Sequence, residues 1–302
     1  MNNILAVLVY LSLGFFLSRL EKFPKSTSEV LNLMVIYVAL PALILEKFPS
    51  IPLDSSILVP AITPWVMLVL SIIFVWLFSR AFKLDRPTTG CLYLLIPLGN
   101  TSFLGFPMIE ALLGEEAVSY AIIYDQVGSF IALSTYGTAI VALYSQTEES
   151  FNLKKVLRKI ALFPPFISLV LAITLRFTAA PPESVQRVFE ILGSMLVPLA
   201  MISVGFQFKG SFEKKHLPTI SMALGFKMLV APVVLFALFK LIGKSGLPVS
   251  TSILESGMPP MITAGAVAMS MNLAPKLAAA LVGLGILFSF ISLPLLKFTL
   301  GL

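Results

Sequence analysis

Apolar residues in this chain fall into runs of about 20, each bounded by a short polar turn, and a helix of that length crosses the hydrocarbon core of a bilayer. Ten runs can be read, at 4–20, 29–46, 56–79, 89–113 and 117–144, then 160–178, 187–207, 218–242, 249–272 and 277–300. The longest polar stretch, Ser145 to Arg158 with Thr147-Glu148-Glu149-Ser150 and Lys154-Lys155, divides them into five and five. This pattern predicts an all-α polytopic protein, with 1–302 as a single membrane domain. Repeat one is 1–145, a short cytoplasmic linker is 146–158, and repeat two is 159–302. Five is odd, so the second half enters the membrane from the opposite side and the halves become inverted repeats. Their punctuation agrees: spans 2 and 7 each carry a proline after an apolar run (Leu40-Pro41, Val197-Pro198), and spans 4 and 9 are both interrupted.

Composition narrows the class. The chain is 58% hydrophobic and 12% charged, with mean hydropathy +0.97, where a soluble domain carries about 25% charged residues. The net charge of +6 is therefore no nucleic-acid footprint; most of it sits in short loops, where it reports orientation. With the N-terminus outside, inner loops hold Arg19, Lys22, Lys25, Arg80, Lys83, Arg86, Lys154, Lys155, Arg158, Lys159, Lys209, Lys214, Lys215 and Lys276. Outer loops hold Lys47, Arg176, Arg187, Lys240, Lys244 and Lys297. Fourteen against six places both termini on the extracytoplasmic side of a plasma or inner membrane. Met1-Asn2-Asn3 has no basic start and no cleavage signature, so the first run reads as a span and not as a removed signal peptide. A single Cys91 precludes an intrachain disulfide, and a single His216 precludes a histidine cluster. Without a nucleophile elbow, an HExxH or a phosphate loop, no enzyme is expected.

The two interruptions carry the most chemistry. Span 4 contains Gly99-Asn100-Thr101-Ser102-Phe103-Leu104-Gly105-Phe106-Pro107, and span 9 contains Glu255-Ser256-Gly257-Met258-Pro259-Pro260. Broken backbone at membrane depth survives only where protein or a water-filled cavity shelters it, and paired breaks in two halves point to a secondary transporter's binding site. Asn100, Thr101 and Ser102 are good N-cap residues for a resumed helix, Pro107 removes a further backbone bond, and Pro259-Pro260 suit the first position of a second one. Each restart is equivalent to about half a positive charge, which attracts an anion. Isolated Pro41, Pro60, Pro64 and Pro232 read as ordinary kinks.

Ionisable residues inside spans form a second set. Asp125 lies about 12 Å along span 5 from its outer end, Glu255 precedes the span 9 break, and Lys227 lies within span 8. A charge at such depth costs about 2.5–3.5 kcal/mol on insertion scales, so it faces protein or water and serves a function. Asp125 and Glu255, with Gln126 and Ser129 as neutral oxygens, read as an ion or proton site able to hold Na+. Alternatively, Lys227 balances half-helix C-termini and one carboxylate, leaving no room for a coupling cation. Glu46, Glu110 and Glu190 lie nearer span ends and read as interfacial charges.

On Gly99 through Pro107, and on Met258-Pro259-Pro260 followed by Asn272, Pro275, Gly283-Leu284-Gly285 and Pro294, the chain resembles the auxin efflux carrier family of permeases. The ten-span layout extends the resemblance to the whole chain. It implies the fold of bile-acid/sodium symporters and sodium/proton antiporters. In that fold a scaffold of spans 1, 2, 6 and 7, able to form a homodimer, supports a mobile core of spans 3, 4, 5, 8, 9 and 10. Helices 4 and 9 cross there, with substrate at the crossing. Carried onto this sequence, Asn100, Thr101, Pro107 and Pro259 become substrate-site positions, and Ser102, Gly257, Met258 and Pro260 of the same two interruptions complete the expected substrate site. Glu255-Ser256-Gly257-Met258 also resembles the acidic element of span 9 that contributes to sodium sites in the bile-acid relatives. The expected coupling positions remain those of the ionisable set above, Asp125, Gln126, Ser129, Lys227 and Glu255, with Na+ at Asp125 and Glu255. The long cytoplasmic loop of many plant members is absent, and Lys227 counts against sodium. The expectation is a secondary transporter of a small organic anion, a carboxylate, working by elevator-type alternating access. The alternative is a Na+/H+-type exchanger with no organic substrate. Neither needs a cofactor beyond a coupling Na+ or H+, and neither engages nucleic acid.

Overall fold

The computed structural model describes residues 2–50, 54–145, 153–178, 181–207 and 216–302. Among them the regular structure is helical, and the one element of another kind is an isolated antiparallel bridge between Gly99 and Pro260. The helices are α1 (Asn2–Leu17), α2 (Thr27–Lys47), α3 (Ser55–Ala81), α4 (Arg86–Leu95), α5 (Thr101–Leu113), α6 (Glu115–Tyr144) and α7 (Leu153–Ala161). They continue with α8 (Pro164–Phe177), α9 (Glu183–Gln207), α10 (Leu217–Leu241), α11 (Leu247–Ser256), α12 (Ile262–Ser270) and α13 (Pro275–Leu300).

Six of these, α2, α3, α6, α9, α10 and α13, are long and apolar enough to cross a bilayer, and α1, α5 and α8 carry shorter apolar stretches. Their outer faces are apolar too: Phe298 is 87% and Leu241 82% exposed, along with Leu5, Phe16, Tyr37, Ile62 and Ile291. Soluble proteins do not surround themselves with such side chains; lipid is the solvent this surface fits.

The helices sort into two packed groups. In the first, α1 and α2 pack on α9, and α8 packs on α2. In the second, α3, α4, α5, α6, α10, α11, α12 and α13 pack among themselves, with α11 against α3 and α6, and α12 against α4 and α13. The groups meet where α1 and the Leu196–Gln207 half of α9 reach α5. The α1–α9 seam is closed by glycines on both sides, since a Cβ on Gly14 would strike the backbone of Ile202 and one on Gly205 the backbone of Leu11. Small residues of this kind let membrane helices approach until their backbones touch. Polar glue reinforces the group: the Ser203 hydroxyl donates to Asn32 Oδ1 at 2.5 Å, tying α9 to α2.

The structure departs from the sequence pattern at several places. Leu153–Ala161 is a separate amphipathic helix where a linker and the start of a span were expected, and α8 begins at Pro164, whose missing N–H is free of cost at N1. The rest of the linker, 146–152, and Lys209, Lys214 and Lys215 lie outside the described residues. The prolines of spans 2 and 7 do not sit inside unbroken α-helix. Pro41 follows a π turn (Val35–Ala39) and Pro198 follows a joint at Met195, so each lies in the first turn of a resumed segment.

Replacing Gly14 or Gly205 by Val should each lower detergent-phase stability by about 1–3 kcal/mol through overpacking. Because both open one seam, the double variant should lose less than the sum, read from thermal unfolding.

Candidate functional site

The chain leaves helical conformation at Pro97–Asn100 and again at Gly257–Met261, and the two stretches lie side by side. The Asn100 N–H donates to the Pro259 carbonyl at 2.8 Å and the Met261 N–H to the Leu98 carbonyl at 2.9 Å. Two segments freed by proline and glycine thus satisfy each other, which is how unwound backbone is tolerated away from water. Gly285 of α13 lets the diproline lie close, since a Cβ there would come within 2.8 Å of Pro260 and 3.1 Å of Pro259. From this crossing α4 and α11 approach with their C-termini, and α5 and α12 leave with their N-termini.

The capping expected at these restarts takes another form. Asn100 occupies the N-cap of α5 without a side-chain cap bond; its backbone carbonyl accepts from Gly105 at 3.0 Å, and its amide Nδ2 is buried without a partner. Thr101 turns its hydroxyl to Asp125, donating to Oδ1 at 2.5 Å, while Gln126 Nε2 donates to Oδ2 at 2.7 Å. Pro259 and Pro260 are not helical; α12 starts after Met261, and the diproline instead forms the extended arm of the crossing. Pro107 falls in the first turn of the regular α-helix Phe106–Leu113, after a π turn at Thr101–Gly105. Gly257 ends α11, and Met258 is fully buried behind it.

The buried charges settle around this crossing. Asp125 and Lys227 each sit in a π turn, Tyr124–Ser129 of α6 and Phe226–Val230 of α10. Such turns carry an extra residue and recur at functional sites. Lys227, 1% exposed, donates to the Ile96 carbonyl at 2.7 Å, the C-terminal end of α4, where a cation meets the negative end of a helix. No ion pair within 4.0 Å joins it to Asp125 or Glu255, so of the two roles read for it, only the half-helix terminus is engaged. Lys297, assigned to an outer loop from the sequence, is instead in the last turn of α13 and donates to the Leu112 carbonyl near the end of α5. Both halves of the interrupted helix therefore end on an ammonium group.

Glu255 is the least satisfied residue in the region. It is 1% exposed and neither carboxylate oxygen has a hydrogen-bond partner. Those oxygens lie 2.7 and 2.8 Å from where a Cβ on Gly105 would stand. Glu255, Lys227, Thr101, Tyr124 and Ser129 line one small cavity of about 10 Å3, beside Pro64 and Met67 of α3. That volume is about the least that holds a single water. Asp125 is adjacent through Thr101, and Gln126 Oε1 is a further buried acceptor without a partner.

A larger cavity, about 360 Å3, opens between the two helix groups. Phe106 and Pro107 form one wall and α1 with Pro198 of α9 the other. Glu46, Glu110 and Glu190, interfacial by their positions in the sequence, all line this cavity with Glu115 and Lys47. Lys47 pairs with Glu46 at 2.8 Å and also with Glu115, linking α2 to α6. The sequence does not join these five, because they come from four separate helices, α2, α5, α6 and α9, and meet only in the fold.

Paired helix interruptions bonded to one another at membrane depth, with buried charge around them and an apolar exterior, define a multi-pass membrane transport protein. A model of the family described as membrane transport protein matches residues 1–297, and the chain belongs to that family, the auxin efflux carriers. It is similar to an uncharacterized transporter of Methanocaldococcus jannaschii, 30% identical over 86% of this chain and 85% of that protein. An uncharacterized transporter of Methanothermobacter thermautotrophicus is 26% identical over 97% of this chain and 96% of the relative.

Gly105→Ala should drive a methyl into the Glu255 carboxylate and lower stability by about 1–3 kcal/mol. In a Glu255→Ala background the same change should cost much less, which a double-mutant cycle of unfolding free energies measures.

Proposed function

We propose that this protein is a secondary transporter of a small organic anion, a carboxylate, bound at the crossing of the two interrupted helices. Counting α4 with α5 and α11 with α12 as single interrupted spans, the described helices fit ten spans in two inverted five-span repeats. The α1, α2, α8 and α9 group then serves as the scaffold and the other group as the core that moves past it by an elevator step. A second copy packing on that scaffold gives the homodimer.

One observation carries the reading: the reciprocal bonds Asn100 N–H to Pro259 and Met261 N–H to Leu98, which hold two helix N-termini at one buried point. The leading N–H groups of each restart lack an intrahelical carbonyl, and the dipoles add to a positive field suited to a carboxylate. The unpartnered Asn100 Nδ2 supplies a further donor, and Thr101, Ser102, Gly257, Met258 and Pro260 shape the surroundings. The 360 Å3 cavity beside Pro107 falls within the range of small-ligand sites and gives a route between the groups.

The alternative, a cation or proton exchanger without organic substrate, draws on different observations. Four glutamates against one lysine line that cavity, and Glu255 offers two free oxygens at the crossing. Coupling in either reading falls to Asp125 and Glu255, with Gln126, Ser129 and Lys227 around them. Na+ needs several oxygen ligands, and both Asp125 oxygens already accept hydrogen bonds, so the unencumbered carboxylate is that of Glu255. Both termini stand on the extracytoplasmic side in this scheme.

Proteoliposome uptake of a carboxylate panel should give saturable flux that Asn100→Ala reduces about tenfold or more, the worth of a hydrogen bond to a charged group. Pro259→Ala should also reduce it, by freeing the rigid extended arm of the crossing. Wild-type flux from both variants would remove the crossing as the site. Asp125→Asn should abolish dependence on a Na+ or pH gradient, and pH-driven Na+ flux with no carboxylate response would favour the exchanger.

A further inference from the structure

Helices α3 and α10 touch at mid-length, where Met67, Ala231 and Leu235 pack with Val66 and Phe239. Towards the end of α10 they separate and leave a groove of about 380 Å3, walled by Leu58, Val59 and Ile62 on one side and Leu238 and Ile242 on the other. Its polar lining is confined to Ser55, Thr63 and Lys244. Thr63 returns its hydroxyl to the Val59 carbonyl at 2.6 Å, so the walls are apolar throughout. Leu58, Ile62 and Ile242 are more than half exposed, and in a protein that spans a bilayer such a groove is open to lipid.

The charge at its end is built in by the helix terminus. Gly243 takes a left-handed conformation at φ 67°. The Lys244 N–H then reaches back to the Phe239 carbonyl at 2.9 Å, and the Gly243 N–H to that of Lys240 at 3.2 Å. This double return is the Schellman pattern, and it fixes the lysine at the mouth of the groove. Lys244 and Lys240 are exposed, and neither has an ion-pair partner within 4.0 Å among the described residues. Asp54, at the start of α3, commits Oδ1 to the Ser56 N–H at 2.7 Å, and the Ser56 hydroxyl and amide beside it hold its carboxyl below the usual range.

We propose that this groove is a binding site for an anionic phospholipid, with one acyl chain between α3 and α10 and the headgroup phosphate on Lys244. An apolar groove of about 380 Å3 suits a hydrocarbon tail, and an unpaired ammonium at its open end suits a phosphate. A zwitterionic lipid brings the same tail without net charge, so the lysine sets the preference. The site lies apart from the helix crossing and does not depend on what the crossing carries.

Native mass spectrometry of the full chain, delipidated in detergent and titrated with phosphatidylglycerol or phosphatidylcholine, tests this. Phosphatidylglycerol should be retained about fivefold more tightly, the worth of one lysine near an anionic surface. Lys244→Gln, on the surface and harmless to folding, should equalise the two lipids. Leu238→Trp, which fills the groove, should weaken both, with thermal unfolding confirming that the variant is folded. Equal retention of the two lipids by the unaltered protein overturns the proposal, as does an unchanged preference in Lys244→Gln. Inorganic phosphate at millimolar concentration should not displace the lipid; if it does, the site is for free phosphate and the acyl groove plays no part.

Discussion

Backbone amides cannot be left without partners inside a bilayer, and the two hydrogen bonds between residues 98–100 and 259–261 are this protein's answer at its two interruptions. Much else follows from them. They require both interruptions to sit at the same depth and to run antiparallel, as the Gly99–Pro260 bridge does. They leave two half-helices starting and two ending at one place, so the local field is strong and needs counter-charge. Lys227 supplies it at the end of α4, and Thr101 with Asp125 occupies the side where α5 begins. Gly285 then becomes a requirement of packing, because a side chain there would push α13 away from the diproline.

The satisfaction is uneven, and the unevenness is informative. Asp125 has both oxygens engaged, Lys227 has a carbonyl, and Glu255 has neither donor nor cation. A buried carboxyl without partners is costly as an anion, and a protein that keeps one gives up stability at that point. The cost sits beside the small cavity and against a glycine that has made room for it. The group of α1, α2, α8 and α9 contributes nothing to that small cavity; three of its charges, Glu46, Lys47 and Glu190, line the larger one instead.

How much of this could be read in the sequence depends on whether a signal lies in side-chain type or in backbone geometry. The interruptions were legible because glycine, asparagine and proline announce themselves in an apolar run, and the boundaries of most helices followed from run length. That the interruptions bond to each other was not legible as specific pairs, since a carbonyl acceptor such as Ile96 or Pro259 carries no mark in the residue's identity. The π turns around Asp125 and Lys227 have no compositional signature and went unread. Capping is not settled by residue type alone: Thr101 has the right chemistry for an N-cap, but Asp125, from a helix distant in sequence, takes its hydroxyl. Glu46, Glu110 and Glu190 looked interfacial one at a time, and only the fold lines one cavity with them.

The π turns alter α6 in a way that a drawing of the helix as a rod conceals. Each holds one residue more than the α turn it replaces, so side chains beyond it are rotated by about 100° from the phase set before it. Helix α6 carries two, at Tyr124–Ser129 and Leu133–Gly137, and its three stretches therefore present three different stripes to their neighbours. Removing a single residue from either turn would swing every later side chain of the helix onto a wrong face, whereas exchanging that residue for another would leave the phase intact.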